Sequence, residues 1–408
     1  MVKQWRTWAV VLVAATLVIS LSVGIRATLG LFLRPMTLDL GWGRETFALA
    51  IALQNLLWGA AQPFTGMLAD RYGTGRVIAF GGLGYALGLL TMGLSTTPGV
   101  FTFGVAVLNG LGISACSFAV VLGAVGRAVP EHRRSMAMGI ASAGGSIGQF
   151  VMLPVGQALI STNGWSVALM YLAGCALVMV PVAMMLTGRA AADPGTGKAQ
   201  PGKAFVSALS YRQYWLMFTG FFVCGFHVAF IGTHLPAYLV DNKISPAMGA
   251  TALALIGFFN ILGSFAFGVL GGRYSKKKTL AGLYLARSVA IAFFVFTPIS
   301  NASVLIFASS VGFLWLGTVP LTSSLVGQIF GVKYLSTLFG FVFFGHQIGS
   351  FLGVWMGGWV FDTTGSYNPV WYAGIALGIF AAIVHWPIDE RTVEMGKALG
   401  ADPVLAGR

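Results

Sequence analysis

The sequence predicts an all-α membrane protein in which twelve transmembrane helices form two pseudo-symmetric six-helix halves. Three observations support this prediction: the chain is very apolar, it contains twelve apolar stretches of membrane-crossing length, and it repeats itself at half its length. Of its 408 residues, 57% are hydrophobic and only 9% are charged, and the mean hydropathy is +0.83. A water-soluble fold of this size needs far more charge on its surface.

Each apolar stretch is long enough to cross a bilayer as a helix. A helix needs roughly 20 apolar residues to span a hydrocarbon core of about 30 Å. The predicted spans cover residues 8–34, 45–68, 77–97, 100–126, 135–160, 165–188, 212–240, 247–272, 279–299, 302–327, 335–361 and 368–388.

The internal repeat is clearest in a basic turn that follows the second apolar stretch. The first copy reads GMLADRYGTGR over residues 66–76, and the second reads GVLGGRYSKKK over residues 268–278. Glycines of the fifth stretch, such as Gly144 and Gly148, have counterparts in the eleventh at Gly345 and Gly349. Such repeated glycines let neighbouring helices approach closely, and the repeat as a whole predicts two halves of like topology.

The repeat and the composition together divide the chain into four parts. We expect an N-terminal six-helix half at 1–188, a cytoplasmic linker at 189–211, a C-terminal six-helix half at 212–390 and a cytoplasmic tail at 391–408. The linker is polar and rich in Gly, Ala, Pro and Lys, so we expect it to need no fold of its own.

The placement of charge predicts the orientation in the membrane. The net charge is +13, yet of the 24 Lys and Arg residues only Arg34, Arg44 and Lys243 fall in outer segments when the N-terminus is cytoplasmic. This is the positive-inside bias, so the basic excess reflects topology and does not indicate nucleic acid. We therefore expect a multi-pass protein of the bacterial inner membrane with both termini in the cytoplasm.

The first basic turn is similar to the signature loop of the major facilitator superfamily, and the twelve spans with a central linker fit that family. The resemblance implies a transporter that works by alternating access. It also implies that the loop forms a cytoplasmic charge network that locks the outward-open state. The residues that would form this conformational lock are Gly66, Asp70, Arg71, Gly73, Arg76 and Arg273. Gly272 stands where the second copy would carry its acid, so that half of the lock departs from the family pattern.

Within the superfamily, drug/proton antiporters usually carry an Arg in the fourth helix, where this chain has Ala106. The run GIRATLGLFLRPM at 24–36, followed by GWGR at 41–44, resembles bacterial relatives of the monocarboxylate porters and oxalate/formate antiporters. Asn260 and Ser264 stand where animal monocarboxylate porters show an Asp and an Arg, so that anion site is not copied literally.

The deep polar residues of the spans are cationic or neutral, because every Asp and Glu falls near a span end or in a loop. Arg26 therefore lacks an acidic partner in the spans, and an anionic substrate could supply one through a two-pronged contact. Histidine can exchange a proton near physiological pH, which makes His346 and His227 the candidates for proton coupling. The candidate substrate-binding residues are Arg26, Gln54, Asn55, Trp58, Gln149, His227, Asn260, His346 and Gln347.

Together these features predict a secondary active transporter of a small organic anion, with a monocarboxylate favoured. Proton-coupled symport and anion exchange both remain open, and efflux of a drug or another hydrophobic compound is the alternative. A non-transporting membrane sensor would need an added soluble domain. Neither a nucleotide-binding loop, a catalytic triad nor a metal-ligand spacing occurs in the sequence, so we expect no enzyme activity and no cofactor or metal. The expected partners are the substrate anion, protons and the lipid bilayer, and the expected form is a monomer.

Overall fold

The computed structural model describes residues 8–129, 131–186, 201–331 and 335–393; the side chains at 70, 119, 126–127, 131–136, 201–204 and 336 lie outside that description. Within these ranges the chain is helical and contains no strand. The first half comprises α1 (Trp8–Leu40), α2 (Arg44–Tyr72), α3 (Thr74–Leu94), α4 (Pro98–Thr102), a π-helix (Phe103–Asn109), α5 (Gly110–Ala115), α6 (Phe118–Ala128), α7 (Glu131–Leu177), α8 (Met179–Ala183) and a 3-10 turn (Met184–Leu186).

The second half begins with a short helix that precedes its membrane-crossing helices. Its elements are α9 (Pro201–Leu209), α10 (Arg212–Asp241), α11 (Pro246–Arg273), α12 (Lys276–Phe296), α13 (Asn301–Phe313), α14 (Thr318–Phe330), α15 (Leu335–Thr364) and α16 (Asn368–His385).

The predicted twelve crossings are consistent with these helices. Ten segments of the described chain are long and apolar enough to cross a membrane. One of them, Ala137–Leu186, turns back at Gly164, whose φ of 78° is a conformation that favours glycine, so this segment crosses twice. The more polar α2 supplies the remaining crossing.

The fourth and tenth crossings are interrupted, which the sequence analysis did not predict. The chain leaves helical geometry at Cys116 and Ser117 in the fourth crossing and at 314–317 in the tenth, at matching positions of the repeat. In the tenth crossing, the buried guanidinium of Arg287 donates to the carbonyl oxygens of Leu314 and Trp315. Asn260 accepts from the backbone N–H of Leu316 at 3.0 Å. Side chains thus satisfy backbone groups that the interruption frees.

The linker is not without structure, contrary to expectation. Residues 201–209 form α9, and Phe205 packs edge-on against Phe341 of α15 with ring centroids 4.9 Å apart. Burial of an apolar face explains why this polar region still forms a helix. Residues 187–200 lie outside the described part. Of the predicted tail, only 391–393 are described, and Val393 bonds to the backbone of Ile329.

Small residues bring helices into close contact within each half. A side-chain carbon at Gly148 of α7 would overlap the backbone oxygen of Ser20 in α1. The equivalent carbon at Gly349 of α15 would overlap the backbone oxygen of Phe222 in α10. Each half therefore contains one tightly packed helix pair, α1 with the first part of α7 and α10 with α15.

The two halves meet at one end of the molecule and separate at the other. At the closed end, Gly358 of α15 lies against the backbone of Arg44 in α2. Toward the basic turns, Gly66 of α2 and Gly340 of α15 have no atom within 4 Å of where a side-chain carbon would stand. The same divergence separates α7 from α11, since Gly139 and Gly268 also border open space. A cleft between the halves therefore opens at the end that carries the basic turns.

Candidate functional site

Arg26 lies beyond the middle of α1, beside two residues of α2. Its Nη2 donates to the side-chain oxygen of Asn55 at 2.5 Å, and its Cζ lies 5.0 Å from the ring centroid of Trp58. Its Nε has no hydrogen-bond partner, and no carboxylate among the described side chains pairs with it. The residue keeps partial exposure, and it lies against α2 at the level where Gln347 of the second half also contacts Asn55.

Polar atoms without partners accumulate on α2 next to this guanidinium. The side-chain nitrogens of Asn55 and Trp58 are buried and unpaired, and Gln54 is fully buried with both amide atoms unpaired. Leaving a buried polar group unsatisfied costs about 1–3 kcal/mol. A ligand with hydrogen-bonding oxygens would therefore complete this surface.

The second half contributes His346 and Gln347 of α15. The Gln347 side-chain nitrogen donates to the backbone oxygen of Asn55 at 2.9 Å, which places the amide oxygen toward His346. That oxygen lies 3.0 Å from His346 Nδ1 and can only accept, so Nδ1 carries the hydrogen.

Aromatic rings enclose the same region, and the sequence analysis did not predict them. The ring of Phe343 stacks on His346 at a centroid distance of 5.4 Å with a 6° interplanar angle, and it meets Trp58 edge-on at 6.1 Å. Phe221 of α10 lies 5.1 Å from His346. The spacing of three residues between Phe343 and His346 was an available signal, because it places both on one helix face.

The other predicted binding residues lie elsewhere. Gln149 of α7 donates to the Leu253 carbonyl of α11, across the halves, at 3.0 Å. Asn260 bonds to Ser146 at 3.1 Å while it accepts from the interrupted tenth crossing. His227 is buried against α16, where its Nε2 lies 2.7 Å from the Gly374 carbonyl. The structure thus brings together Arg26, Asn55, Trp58, His346 and Gln347, which we call the central cluster.

The predicted lock residues line the open end of the cleft. Gly73 separates α2 from α3 with a φ of 97°, which explains the need for glycine there. Arg71, Arg76 and Arg273 are exposed. The side chain of Asp70 lies outside the described part of the structure.

The closed end holds an ion cluster that the sequence analysis also missed. Both terminal nitrogens of Arg44 bond to the Asp241 carboxylate, at 2.5 and 2.9 Å, and Arg34 Nε lies 3.4 Å from the same carboxylate. Arg44 also donates to the Tyr367 hydroxyl at 3.0 Å and packs 3.7 Å from the centroid of the Phe361 ring. Burial raises the pKa of the Tyr367 phenol, although the nearby Arg44 opposes this shift. Two of the few predicted outer cations thus share one acid.

Comparison with known families agrees with this arrangement of two halves around a cleft. The sequence profile described as Major Facilitator Superfamily matches residues 12–353 and again 242–404. The chain belongs to the Major Facilitator Superfamily. The resemblance inferred from the basic turn is therefore confirmed.

Several transporters of the superfamily are similar along most of the chain. The uncharacterized MFS-type transporter YcxA of Bacillus subtilis is 24% identical over 88% of this chain and 90% of its own length. Monocarboxylate transporter 12 of Xenopus laevis is 26% identical over 75% of this chain and 72% of its own length. The oxalate:formate antiporter of Oxalobacter formigenes is 21% identical, with coverage of 85% and 83%.

A solved superfamily structure supports the same fold. A bacterial homologue of the human lysosomal transporter Spinster, captured inward-facing and unoccupied, superposes with a TM-score of 0.74 at 16% identity. The match covers 94% of this chain and 96% of the homologue. The predicted fold class, twelve helices in two pseudo-symmetric halves, is confirmed.

Proposed function

We propose that this protein is a secondary active transporter that carries a small organic anion, a monocarboxylate, across the bacterial inner membrane by alternating access. The observation that carries the proposal is Arg26, a cation deep in the fold that has no carboxylate partner among the described residues and lies against the unpaired polar atoms of Asn55 and Trp58. A guanidinium binds a carboxylate with two parallel hydrogen bonds, and Arg26 Nε is free for one of them.

The surroundings of Arg26 favour a monoanion with an apolar part. The central cluster contains one permanent charge, so one carboxylate balances it. The unpaired nitrogens of Asn55 and Trp58 can serve the carboxylate oxygens, and the rings of Trp58 and Phe343 can cover the remainder of the ligand. The names of the relatives, a monocarboxylate transporter and an oxalate:formate antiporter, support the broader class of small organic anions.

His346 is the proposed coupling group. Its Nε2 can accept a proton while Nδ1 stays bonded to Gln347, and the ring lies in the central cluster with Arg26. A proton that enters with the anion keeps the net charge of the cluster constant, which favours symport. Anion exchange needs no titrating group and is the competing mode, and efflux of a hydrophobic compound would use the aromatic walls without Arg26.

The orientation follows from charge. The basic turns lie at the open end of the cleft, and basic loops favour the cytoplasmic side. On this assignment the structure is the inward-open state and the Arg44 end faces outward.

Uptake into proteoliposomes tests the proposal. Purified protein is reconstituted and offered radiolabelled acetate, lactate, pyruvate, oxalate and benzoate, with and without an inwardly acid pH gradient, beside Arg26→Ala as a matched inactive control. We expect saturable uptake of at least one monocarboxylate that Arg26→Ala lacks. Accumulation driven by the pH gradient indicates symport, and counterflow without such accumulation indicates exchange. Equal uptake by wild type and Arg26→Ala would overturn the proposal, and so would transport confined to neutral hydrophobic compounds.

A further inference from the structure

In the ion cluster at the closed end, the first half supplies the arginines and the second half supplies the groups that they contact. Arg34 of α1 and Arg44 of α2 belong to the first half. The side-chain groups that Arg44 contacts belong to the second half: its guanidinium meets Asp241, Tyr367 and Phe361, and its backbone N–H donates to the Asp362 carboxylate at 3.0 Å. Arg34 contacts the same Asp241.

The two arginines converge on a single oxygen of that carboxylate. Asp241 Oδ1 lies 2.9 Å from Arg44 Nη2 and 3.4 Å from Arg34 Nε. The first half therefore presents a recess that already fits a carboxylate, and Asp241 occupies it. Two guanidiniums face this carboxylate, and a second carboxylate of the same half, Asp362, accepts from the backbone N–H groups of Arg44 and Glu45 at 3.0 and 2.7 Å.

Alternating access requires the halves to separate at this end. Asp241 lies at the end of α10 and moves with the second half, whereas both arginines stay with the first. Glu45 also stays with the first half; its carboxylate accepts from the indole of Trp355 in the second half at 3.0 Å, so separation frees this acid as well. Separation thus vacates the recess and leaves two guanidiniums without their carboxylate.

We infer that Arg34 and Arg44 form an outer anion-binding site that captures the carboxylate of the substrate when the transporter opens outward, with Asp241 as its internal competitor. This inference rests on the proposed function, because it assumes that the substrate is an anion and that the halves rock. The site lies at the end that is closed in this structure, would form the mouth of the cleft once that end opens, and is distinct from Arg26. Clustered cations at an entrance also raise the local concentration of anions and the rate of their association.

The arginines and Asp241 have opposite roles in a capture site, whereas they have equivalent roles in a simple gate. A simple ion-pair gate predicts that loss of either partner has the same effect, a weaker closed end. A capture site predicts opposite effects on the outer side, since removal of an arginine removes the site and removal of the Asp241 charge frees it.

The experiment measures transport of the labelled monocarboxylate that gives the fastest uptake in the panel above. Uptake from the outside is measured in intact bacterial cells, and uptake from the cytoplasmic side in inside-out vesicles. The variants are Arg34→Gln, Arg44→Gln and Asp241→Asn. Lys243→Asn is the matched control, because Lys243 is a predicted outer cation with no side-chain partner among the residues that the structure describes, and asparagine tolerates its positive φ of 65°.

We expect Arg44→Gln to raise the outer KM about tenfold, in line with the loss of a charged hydrogen bond. Arg34→Gln should raise it by a smaller factor. Asp241→Asn should lower the outer KM, and Lys243→Asn should leave it unchanged. The KM from the cytoplasmic side should stay within about twofold of wild type in all four variants, which shows that each protein is folded.

Four outcomes would overturn the inference. The arginine variants and Asp241→Asn could shift the outer KM in the same direction, which is what a simple ion-pair gate predicts. Lys243→Asn could match Arg44→Gln, which would indicate only a general surface charge. If no carboxylate is transported by wild type, the proposed function and this inference fail together, whereas unchanged outer KM values with active anion transport overturn the inference alone.

Discussion

The side chain of Gln347 donates a hydrogen bond to the backbone oxygen of Asn55, 2.9 Å away, and this bond links the two halves directly beside Arg26. Asn55 accepts from Arg26 through its side chain, and Gln347 accepts from His346. The proposed ligand-binding cation and the proposed coupling group are therefore connected through one contact between the halves.

Replacement of Gln347 by leucine should slow transport. The change keeps the approximate volume but leaves His346 Nδ1 without this acceptor, a loss that typically costs about 1–3 kcal/mol, and we expect turnover to fall about tenfold. Gln62→Leu is the matched control, because Gln62 bonds to Ser117 within the first half at 2.9 Å. Initial uptake rates at saturating substrate measure the effect, and equal losses in both variants would contradict a role for the contact between the halves.

Removal of the Arg26 charge should abolish anion transport. Arg26→Ala removes the guanidinium that faces the unpaired polar atoms, and we expect at least a hundredfold loss in kcat/KM, equivalent to about 2.7 kcal/mol. Arg26→Lys should recover only part of this, because an ammonium lacks the two-pronged geometry. Size-exclusion profiles in detergent check that the variants fold. Wild-type rates in Arg26→Ala would exclude Arg26 as the ligand.

Replacement of His346 by a side chain that cannot titrate should remove proton coupling while substrate binding persists. His346→Gln keeps hydrogen-bonding capacity in the central cluster but cannot carry a proton. We expect exchange of substrate for substrate to persist while accumulation driven by a pH gradient is lost. Counterflow and gradient-driven uptake in the same proteoliposomes measure the two processes. Full accumulation by the variant would place the proton on another group or on the substrate.

The basic turn should control the exchange between states more than it controls binding. Asp70→Asn removes the acid that resembles the family lock, and we expect the rate of state exchange to change while substrate affinity stays close to wild type. Asp389→Asn is the control at the same end of the molecule. Hydrogen bonds from Arg391 lower the pKa of Asp389 to about 2, so this acid is ionised and already paired within the second half. Distances between spin labels on the two halves report the exchange, and altered affinity with unchanged exchange would contradict the prediction.

Close helix packing should make one glycine of α15 sensitive and another tolerant. At Gly349 a methyl group would overlap the backbone of α10, so Gly349→Ala should destabilise the protein by about 1–3 kcal/mol. Gly340 of the same helix borders open space, and Gly340→Ala should be neutral or stabilising by up to about 1 kcal/mol. The melting temperatures of both variants are measured by thermal unfolding in detergent. Similar melting temperatures would show that α15 does not pack tightly on α10 at Gly349.

The sequence was sufficient for the fold because its signals are periodic and repeated. Apolar length predicted the crossings, and the second basic turn predicted two like halves. It was also sufficient to nominate Arg26, Asn55, Trp58, His346 and Gln347, since a polar residue in an apolar helix stands out. It did not predict which way His227 and Asn260 face, because neighbouring helices decide that. His227 bonds to α16, and Asn260 serves the interruption of the tenth crossing.

The ion cluster at the closed end was missed for a related reason. Arg44 and Asp241 are 197 positions apart, and no local pattern joins them. The interruptions of the fourth and tenth crossings were also missed; no proline lies near the fourth, and in the tenth the signal is limited to Gly317 and Pro320. In the tenth crossing the stabilising partners, Arg287 and Asn260, come from other helices.

The tight helix pair inside each half has a consequence for what the protein can carry. The close packing of α1 on α7 and of α10 on α15 makes each half a rigid body. Arg26 lies on the first half and His346 on the second. On the proposed function, neither half alone provides all the contacts to the substrate. The substrate is therefore fully bound only when both halves close around it. A carboxylate that is too bulky for the two halves to close around it would still bind to Arg26 but would not be transported. Such molecules should act as competitive blockers, and their size should mark the upper limit of the transported class.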